Sequence, residues 1–429
     1  MNSGKTHEVT ITRLGLRGDG IGLSPDGPLY VAGALPGETV RARAGVKRAD
    51  GFAASLEEIV EASPDRVEPP CPHFGTCGGC ATQSLADDAY AAWKQEMVVS
   101  AVKRAGLNPD LVAPMIRTAA DGRRRAEFAA FRPRAKNAKT YFGFHARASN
   151  LVVNLDTCLI VRPVIAAMIP KLRDVLSDIV PPGARWDVLV TEADNGLDLQ
   201  VGANHAPGPD ASMALAMFAE AEDIARISWC TDNGVEPVAV RRAPMLNLSG
   251  TTVELPPGAF LQASAEAERI LSGLVCDAVL SDGIGDRIAD LYCGVGTFAL
   301  PLAASGAKVF AVDGAGDAVE AMARAAGTAG FGGQISTENR DLVRRPMMAD
   351  DLKHFDTIVF DPPRAGAAAQ VAQIVESPVN RVVAVSCNPA TFAKDASALA
   401  AGGFALEGVT PVDQFVWSGH VELVAVFSR

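Results

Sequence analysis

RIADLYCGVGTFA, residues 287–299, is the stretch that decides the fold. Its first half is a short apolar run of strand character. Its second half is a loop with Gly294 and Gly296 that opens into the helix-like TFALPLAASG. Glycines there let the backbone turn tightly and approach a ligand whose polar groups meet the start of a helix. The same alternation continues downstream. AKVFAVD precedes AGDAVEAMARAAG, FDTIVFDPP precedes AAAQVAQIVES, RVVAVSCNP precedes ATFAKDASALAAGG, and VELVAVF closes the chain. Continuous apolar strands alternating with helices predict a mostly parallel sheet covered on both faces, an α/β unit over residues 246–429.

Toward the N-terminus the pattern changes. EVTITRLG, PLYVAG and ETVRARAGV are short alternating runs separated by GDGIG, SPDG and LPGE turns, which predicts a small β-barrel of the oligonucleotide-binding kind over residues 1–62. The prolines of ASPDRVEPP mark a linker at its end. Residues 63–245 read as a β-rich central unit. In it Asn195-Gly196 and Asn233-Gly234 supply the two positive-φ positions of type I′ hairpin turns. A helix over residues 84–105 precedes that unit in sequence but is free to pack on the catalytic one. The expected chain is therefore multidomain.

No run of about 18 apolar residues occurs in the 429, so no membrane partner is expected. The opening MNSGKTHEVT lacks a signal-peptide core, and a cytoplasmic place with reduced thiols is the expectation. The net charge of −11 argues weakly against nucleic acid. Locally the balance reverses. Arg123, Arg124, Arg125, Arg132, Arg134, Lys136, Lys139 and Arg147 face the single acid Glu127, with Phe128, Phe131, Tyr141, Phe142 and Phe144 interleaved. Cations for phosphate and rings for stacking suit single-stranded nucleic acid; the alternative is a solvated hairpin whose rings fill the core.

The glycine loop alone admits either NAD or S-adenosylmethionine, because Gly294, Gly296 and Ala299 also satisfy a dinucleotide fingerprint. Two later strand ends separate them. DPPR, Asp361–Arg364, and SCNP, Ser386–Pro389, fall where ligands bind in an open parallel sheet. A hydride-transfer enzyme has no evident use for Cys387 there. Methylation of uracil carbon 5 does: a thiolate adding to carbon 6 makes carbon 5 nucleophilic, and a base must then remove the carbon-5 proton. Cys387 is the candidate nucleophile, against its reading as a small core residue. Glu422, inside the apolar last strand, is the candidate base, against its reading as an outward edge residue. Asp313, ending the strand after the loop, can accept from ribose hydroxyls. Cys71, Cys77 and Cys80 form C-x5-C-x2-C, a spacing that leaves iron–sulfur and zinc both open. An RNA-binding iron–sulfur protein without catalysis is a rival that has no need of DPPR, SCNP and the terminal glutamate.

With these motifs in this order, the chain resembles the S-adenosylmethionine-dependent RNA 5-methyluridine methyltransferases, and within them the iron–sulfur members acting on 23S rRNA. The LPGE-containing barrel resembles a TRAM domain. Three clustered cysteines, the donor loop, DPPRAG, SCNPATFAKD and HVEL follow in family order. The resemblance implies a Rossmann-like class I methyltransferase unit, with Cys387 as nucleophile and Glu422 as base. It implies donor contacts at Gln262, Tyr292, Thr297, Asp313, Asp341 and Asp361. It also implies a 4Fe-4S cluster held by Cys71, Cys77, Cys80 and a fourth cysteine, Cys158. RNA is the implied partner, ribosomal before transfer RNA, and a monomer is expected. Ser264 and Thr297 stand where the family often has asparagine.

Overall fold

The computed structural model describes residues 4–48, 50–135, 138–280 and 287–429. Five strands, β1 (Thr6–Leu14), β2 (Asp19–Ser24), β3 (Gly27–Ala32), β4 (Thr39–Lys47) and β5 (Phe52–Glu61), close into a barrel in the order β1-β2-β3-β5-β4. Strand alternation fills it: Val9, Ile11, Leu29, Val31, Val40 and Ala42 point inward and are buried.

Helix α1 (Asp87–Arg104) and the two-residue strand β6 (Ile116–Arg117) come next. A six-stranded sheet follows, built from β7 (Arg125–Phe131), β8 (Tyr141–Gly143), β9 (Arg185–Ala193), β10 (Gly196–Gly202), β11 (Arg226–Thr231) and β12 (Gly234–Val240), in the order β12-β11-β10-β9-β7-β8. Helices α2 (Pro163–Ile179) and α3 (Pro209–Ala221) lie on it, so the central unit is α/β rather than merely β-rich. Helix α3 is the crossover that makes β10 and β11 parallel. Both hairpins form, but not through type I′ turns. Ala193 pairs with Gly196 and Thr231 with Gly234, so the loops are Asp194-Asn195 and Asp232-Asn233. Positive φ falls only on the following glycines, 140° at Gly196 and 129° at Gly234.

After the hairpin β13 (Met245–Leu248) and β14 (Thr251–Glu254) comes helix α4 (Ala265–Leu280). Then follow β15 (Arg287–Leu291), α5 (Ala299–Ala304), β16 (Lys308–Asp313), α6 (Gly316–Thr328), β17 (Ile335–Asn339), α7 (Ala349–Leu352) and β18 (Thr357–Phe360). The chain ends with α8 (Ala368–Glu376), β19 (Arg381–Ser386), α9 (Pro389–Ala401), β20 (Ala405–Asp413) and β21 (Glu422–Ser428). The sheet order is β17-β16-β15-β18-β19-β21-β20-β6. Strands β15 to β19 run parallel, and β21 is inserted antiparallel to β19 and β20. Both faces are covered, which explains the continuous apolar strands. Ile288, Val359 and Val383 face the core shared with α4, α5 and α6, while Ala289, Ile358 and Val382 face the one shared with α1, α8 and α9. Helix α1 and strand β6 precede the central sheet in sequence yet pack with this last one.

The strand order reverses between β15 and β18. In a doubly wound sheet that leaves a crevice at the carboxyl ends of the strands. The loop after β15 and the turns after β18 and β19 all open into it.

Candidate active site

The loop after β15 is shaped by backbone geometry. Tyr292 holds a positive φ of 65°, with its N–H on Val312 O at 2.8 Å. Such a conformation is costly for a residue with a side chain and persists only where the surroundings enforce it. Gly296, at φ 97°, packs so closely on α6 that an added Cβ would lie 2.7 Å from Met322 Cγ. Asp313 ends β16 and fixes the loop from outside. Its carboxylate accepts Gly294 N–H at 2.9 Å and Ala315 N–H at 2.8 Å. Asp341 accepts from Val343 N–H at 3.0 Å and Arg344 N–H at 3.2 Å, one strand further out.

One cavity of about 970 Å³ gathers Gln262, Tyr292, Thr297, Asp313, Asp341, Asp361, Cys387 and Glu422 among its lining. The turns bearing Asp361 and Cys387 are clamped together by Asn388. Its side-chain amide donates to Arg364 O at 2.9 Å, and its carbonyl accepts Ala390 N–H at 3.1 Å, capping α9 with Pro389 at the first helical position. Cys387 is half-buried, and burial, then the Glu422 and Asp361 carboxyls, push its thiol up to about 12, while Arg364 pulls the other way. Glu422 is buried at the start of β21. Burial and the Asp361 charge raise it well above the usual carboxylate range. A chain of hydrogen bonds joins the acids: Gln262 Nε2 to Asp361 Oδ2 at 3.0 Å, Gln414 Nε2 to Gln262 Oε1 at 2.8 Å, and Gln414 Nε2 to Glu422 Oε2 at 2.7 Å. Among the described residues, Glu422 Oε1 is buried without a partner. A thiol, a partner-free carboxyl oxygen and a glycine-rich loop thus share one chamber.

Three arginines, Arg123, Arg125 and Arg364, are part of the chamber lining, and the Arg123 guanidinium lies 5.7 Å from the Phe415 ring centroid. After burial, the charges of Arg364, Lys94 and Arg123 lower His420 further, to about 4. The rest of the basic segment is mostly structural. Arg124 is buried against Glu268 and donates to Gln262 O at 3.2 Å, Arg132 caps α2 through Ser177 O and Val180 O, and Arg147 pairs with Asp19 at 2.6 Å. Phe128 and Phe142 fill the central core and Phe144 stacks on Phe128, so these rings are not free to stack on bases. Lys136 lies outside the described residues.

The family model for tRNA (uracil-5-)-methyltransferase matches residues 246–429. An uncharacterized RNA methyltransferase of Rhizobium meliloti is 41% identical over 99% of this chain and 100% of its own length. The 23S rRNA (uracil(1939)-C(5))-methyltransferase RlmD of Aeromonas hydrophila is 30% identical over 98% of this chain and 96% of its own. This chain belongs to the RNA uracil-5-methyltransferase family. In fold, it is similar to the Pyrococcus abyssi tRNA (uracil-54, C5)-methyltransferase solved with S-adenosyl-L-homocysteine. The match has a TM-score of 0.72, covers 98% of this chain and all of that one, and is 22% identical.

This RNA uracil-5-methyltransferase family member also gathers Cys71, Cys77, Cys80 and Cys158 around one small cavity with His73, Phe74 and Phe144. The thiols feel one another. Burial first, then neighbouring cysteines, raise Cys77, and raise Cys80 to about 12. Gly79 N–H points at Cys77 Sγ at 3.4 Å, the kind of contact that stabilises thiolate ligands. Among the described residues no three Cys, His, Asp or Glu side chains converge as a single metal ion requires. Four thiols around one cavity are a donor set suited to a sulfur-ligated group, iron–sulfur or zinc.

Two residues of this family member, and the capping bond of Ser264, escaped the sequence reading. Gln414 joins Gln262 to Glu422. Asp290, fully buried at the end of β15, is raised well above the usual range by burial and then by Asp361. Ser264 carries its own task, accepting Ala267 N–H at 3.1 Å as it opens α4. A polar residue one place after an apolar strand is the only local signal for Gln414, and it is a weak one.

Proposed function

We propose that this protein transfers a methyl group from S-adenosylmethionine to carbon 5 of a uridine in RNA, with 23S rRNA as the substrate and tRNA as the alternative. The observation that carries this is the shared chamber of Cys387, Glu422 and the glycine-rich loop. Residues 246–429 act as a class I methyltransferase unit, 63–245 as the cysteine-bearing unit, and 1–62 as a TRAM-like RNA-binding barrel. Tyr292, Thr297, Asp313, Asp341, Asp361 and Gln262 hold the donor.

As the nucleobase docks, the Cys387 S–H bond breaks and its proton leaves to solvent; the Sγ thiolate adds to uracil carbon 6, and the carbon 5–6 π electrons move toward the carbon-4 oxygen. Arg123 and Arg364 in the lining offset that growing negative charge. The thiol reaches this step protonated at neutral pH, so the buried nucleophile is inert until a base docks. Carbon 5 then takes the methyl group from the donor sulfonium. Glu422 removes the carbon-5 proton; those electrons restore the carbon 5–6 double bond and expel the Cys387 thiolate. Once ionised, a carboxylate whose affinity for protons is raised by burial is a stronger base for that step than one in water.

Cys71, Cys77, Cys80 and Cys158 are proposed to hold a 4Fe-4S cluster. Four thiols around one cavity support this reading, and the resemblance of the cysteine spacing to iron–sulfur family members sets it ahead of zinc. Its place is structural, tying residues 71–80 to the central unit beside Arg123, whose guanidinium feels Cys158 and Cys80.

The test uses unmodified 23S rRNA and labelled donor. Cys387→Ala should bind both and transfer no methyl. Glu422→Gln should accumulate a protein–RNA adduct that survives denaturing gels. Wild-type methylation by Cys387→Ala overturns the mechanism.

A further inference from the structure

Gln414 is buried between the donor side and the base side of the chamber, and its amide has one possible orientation. Ala263 N–H lies 2.9 Å from its Oε1 and can only be met by an acceptor. The Nε2 group therefore faces two acceptors, Gln262 Oε1 at 2.8 Å and Glu422 Oε2 at 2.7 Å, and both its hydrogens are used. Gln262, accepting on its oxygen, is left to donate to Asp361.

This arrangement makes the two oxygens of Glu422 unequal. Oε2 already receives an N–H, so a proton bound there would oppose it. Oε1 is buried, partner-free and part of a residue that lines the chamber. We propose that Gln414 is the positioning residue of the base, pinning Oε2 so that the proton taken from carbon 5 lands on Oε1. In that step the C5–H bond breaks, an O–H bond forms on Oε1, and the released pair rebuilds the ring double bond as the C6–S bond breaks. The inference rests on Glu422 being the base.

Gln414→Met keeps the volume and removes the N–H donors. With transcribed 23S rRNA carrying [5-³H]uridine, tritium release should fall about tenfold or more, while single-turnover methyl transfer into the adduct changes much less. The acid limb of the tritium-release profile should move to higher pH, because the lost hydrogen bond favoured the carboxylate form. A merely structural role would lower both steps together and leave the profile in place; that outcome, or wild-type behaviour, overturns the proposal. If Gln414→Met does not fold, Gln414→Asn, too short to span both partners, is read the same way. Glu422→Gln runs in parallel. Failure of that variant to trap an adduct overturns the base assignment itself, whereas trapping beside an unaffected Gln414→Met overturns only the role of Gln414.

Discussion

Lys94 Nζ donates to Asp413 Oδ1 at 2.8 Å, joining α1 to the end of β20 across 319 residues of sequence. Both side chains are buried, and Tyr90 Oη meets the other Asp413 oxygen at 2.6 Å. Lys94 also donates to the carbonyls of Phe415 and His420. The helix thereby fixes the segment that carries Gln414 and delivers Glu422.

Lys94→Met should therefore destabilise the protein strongly. Removing one partner strands Asp413 in the interior, a cost of about 3–5 kcal/mol. Adding Asp413→Asn should recover part of it. Urea unfolding of the single and double variants checks both statements, and equal losses in the two would refute the pairing argument.

Burial raises Asp361 to about 7, with Glu422 and Asp290 raised alongside it. These folded acids hold protons that the unfolded chain has released from about pH 4 upward, so stability falls as pH rises from there through about 7. Thermal melts of donor-free protein between pH 4 and 8 should show that slope, and Asp361→Asn should flatten it. An unchanged slope would contradict the burial argument.

Gly296→Ala should weaken both fold and donor affinity. The residue sits at φ 97°, and a Cβ would press on Met322 Cγ at 2.7 Å and Leu300 Cγ at 2.9 Å. A cost of about 1–3 kcal/mol follows from the backbone conformation alone. Denaturation midpoints and calorimetric titration with S-adenosylhomocysteine measure the two effects. Wild-type values in both would show that the loop does not need this turn.

Anaerobically purified protein should contain iron and acid-labile sulfide in equal amounts, and Cys158→Ser should lose both together with thermal stability. Finding stoichiometric zinc in their place would sink the cluster assignment. The same variant should keep the barrel intact, because Cys158 packs with the central core and not with the barrel residues.

Much of the architecture was legible because periodicity reports backbone state directly. Ile288, Ala289 and Leu291 are all apolar because β15 is buried on both faces, and that is visible without coordinates. The two central helices were not. Helix α2 carries Pro170 in its interior, a signal that argues for a break when read locally. The hairpins at Gly196 and Gly234 were placed correctly with the wrong turn, because pairing register, which local sequence does not fix, decides which residue takes positive φ. The basic, aromatic segment leaned toward RNA when read locally, yet Phe128 and Phe142 are buried in the central core and pack on one another.

The sequence by itself determined which groups are on offer: a thiol at one strand end, a carboxyl on the last strand and a glycine loop, because residue identity and strand periodicity are read from it directly. Tertiary structure decided how the groups act on one another. It drew Gln262, Gln414 and Glu422 into one directional hydrogen-bond chain, and it braced that chain from α1 through Lys94 and Asp413. Hydrogen-bond direction and burial belong to contacts between distant segments, and no local pattern encodes them.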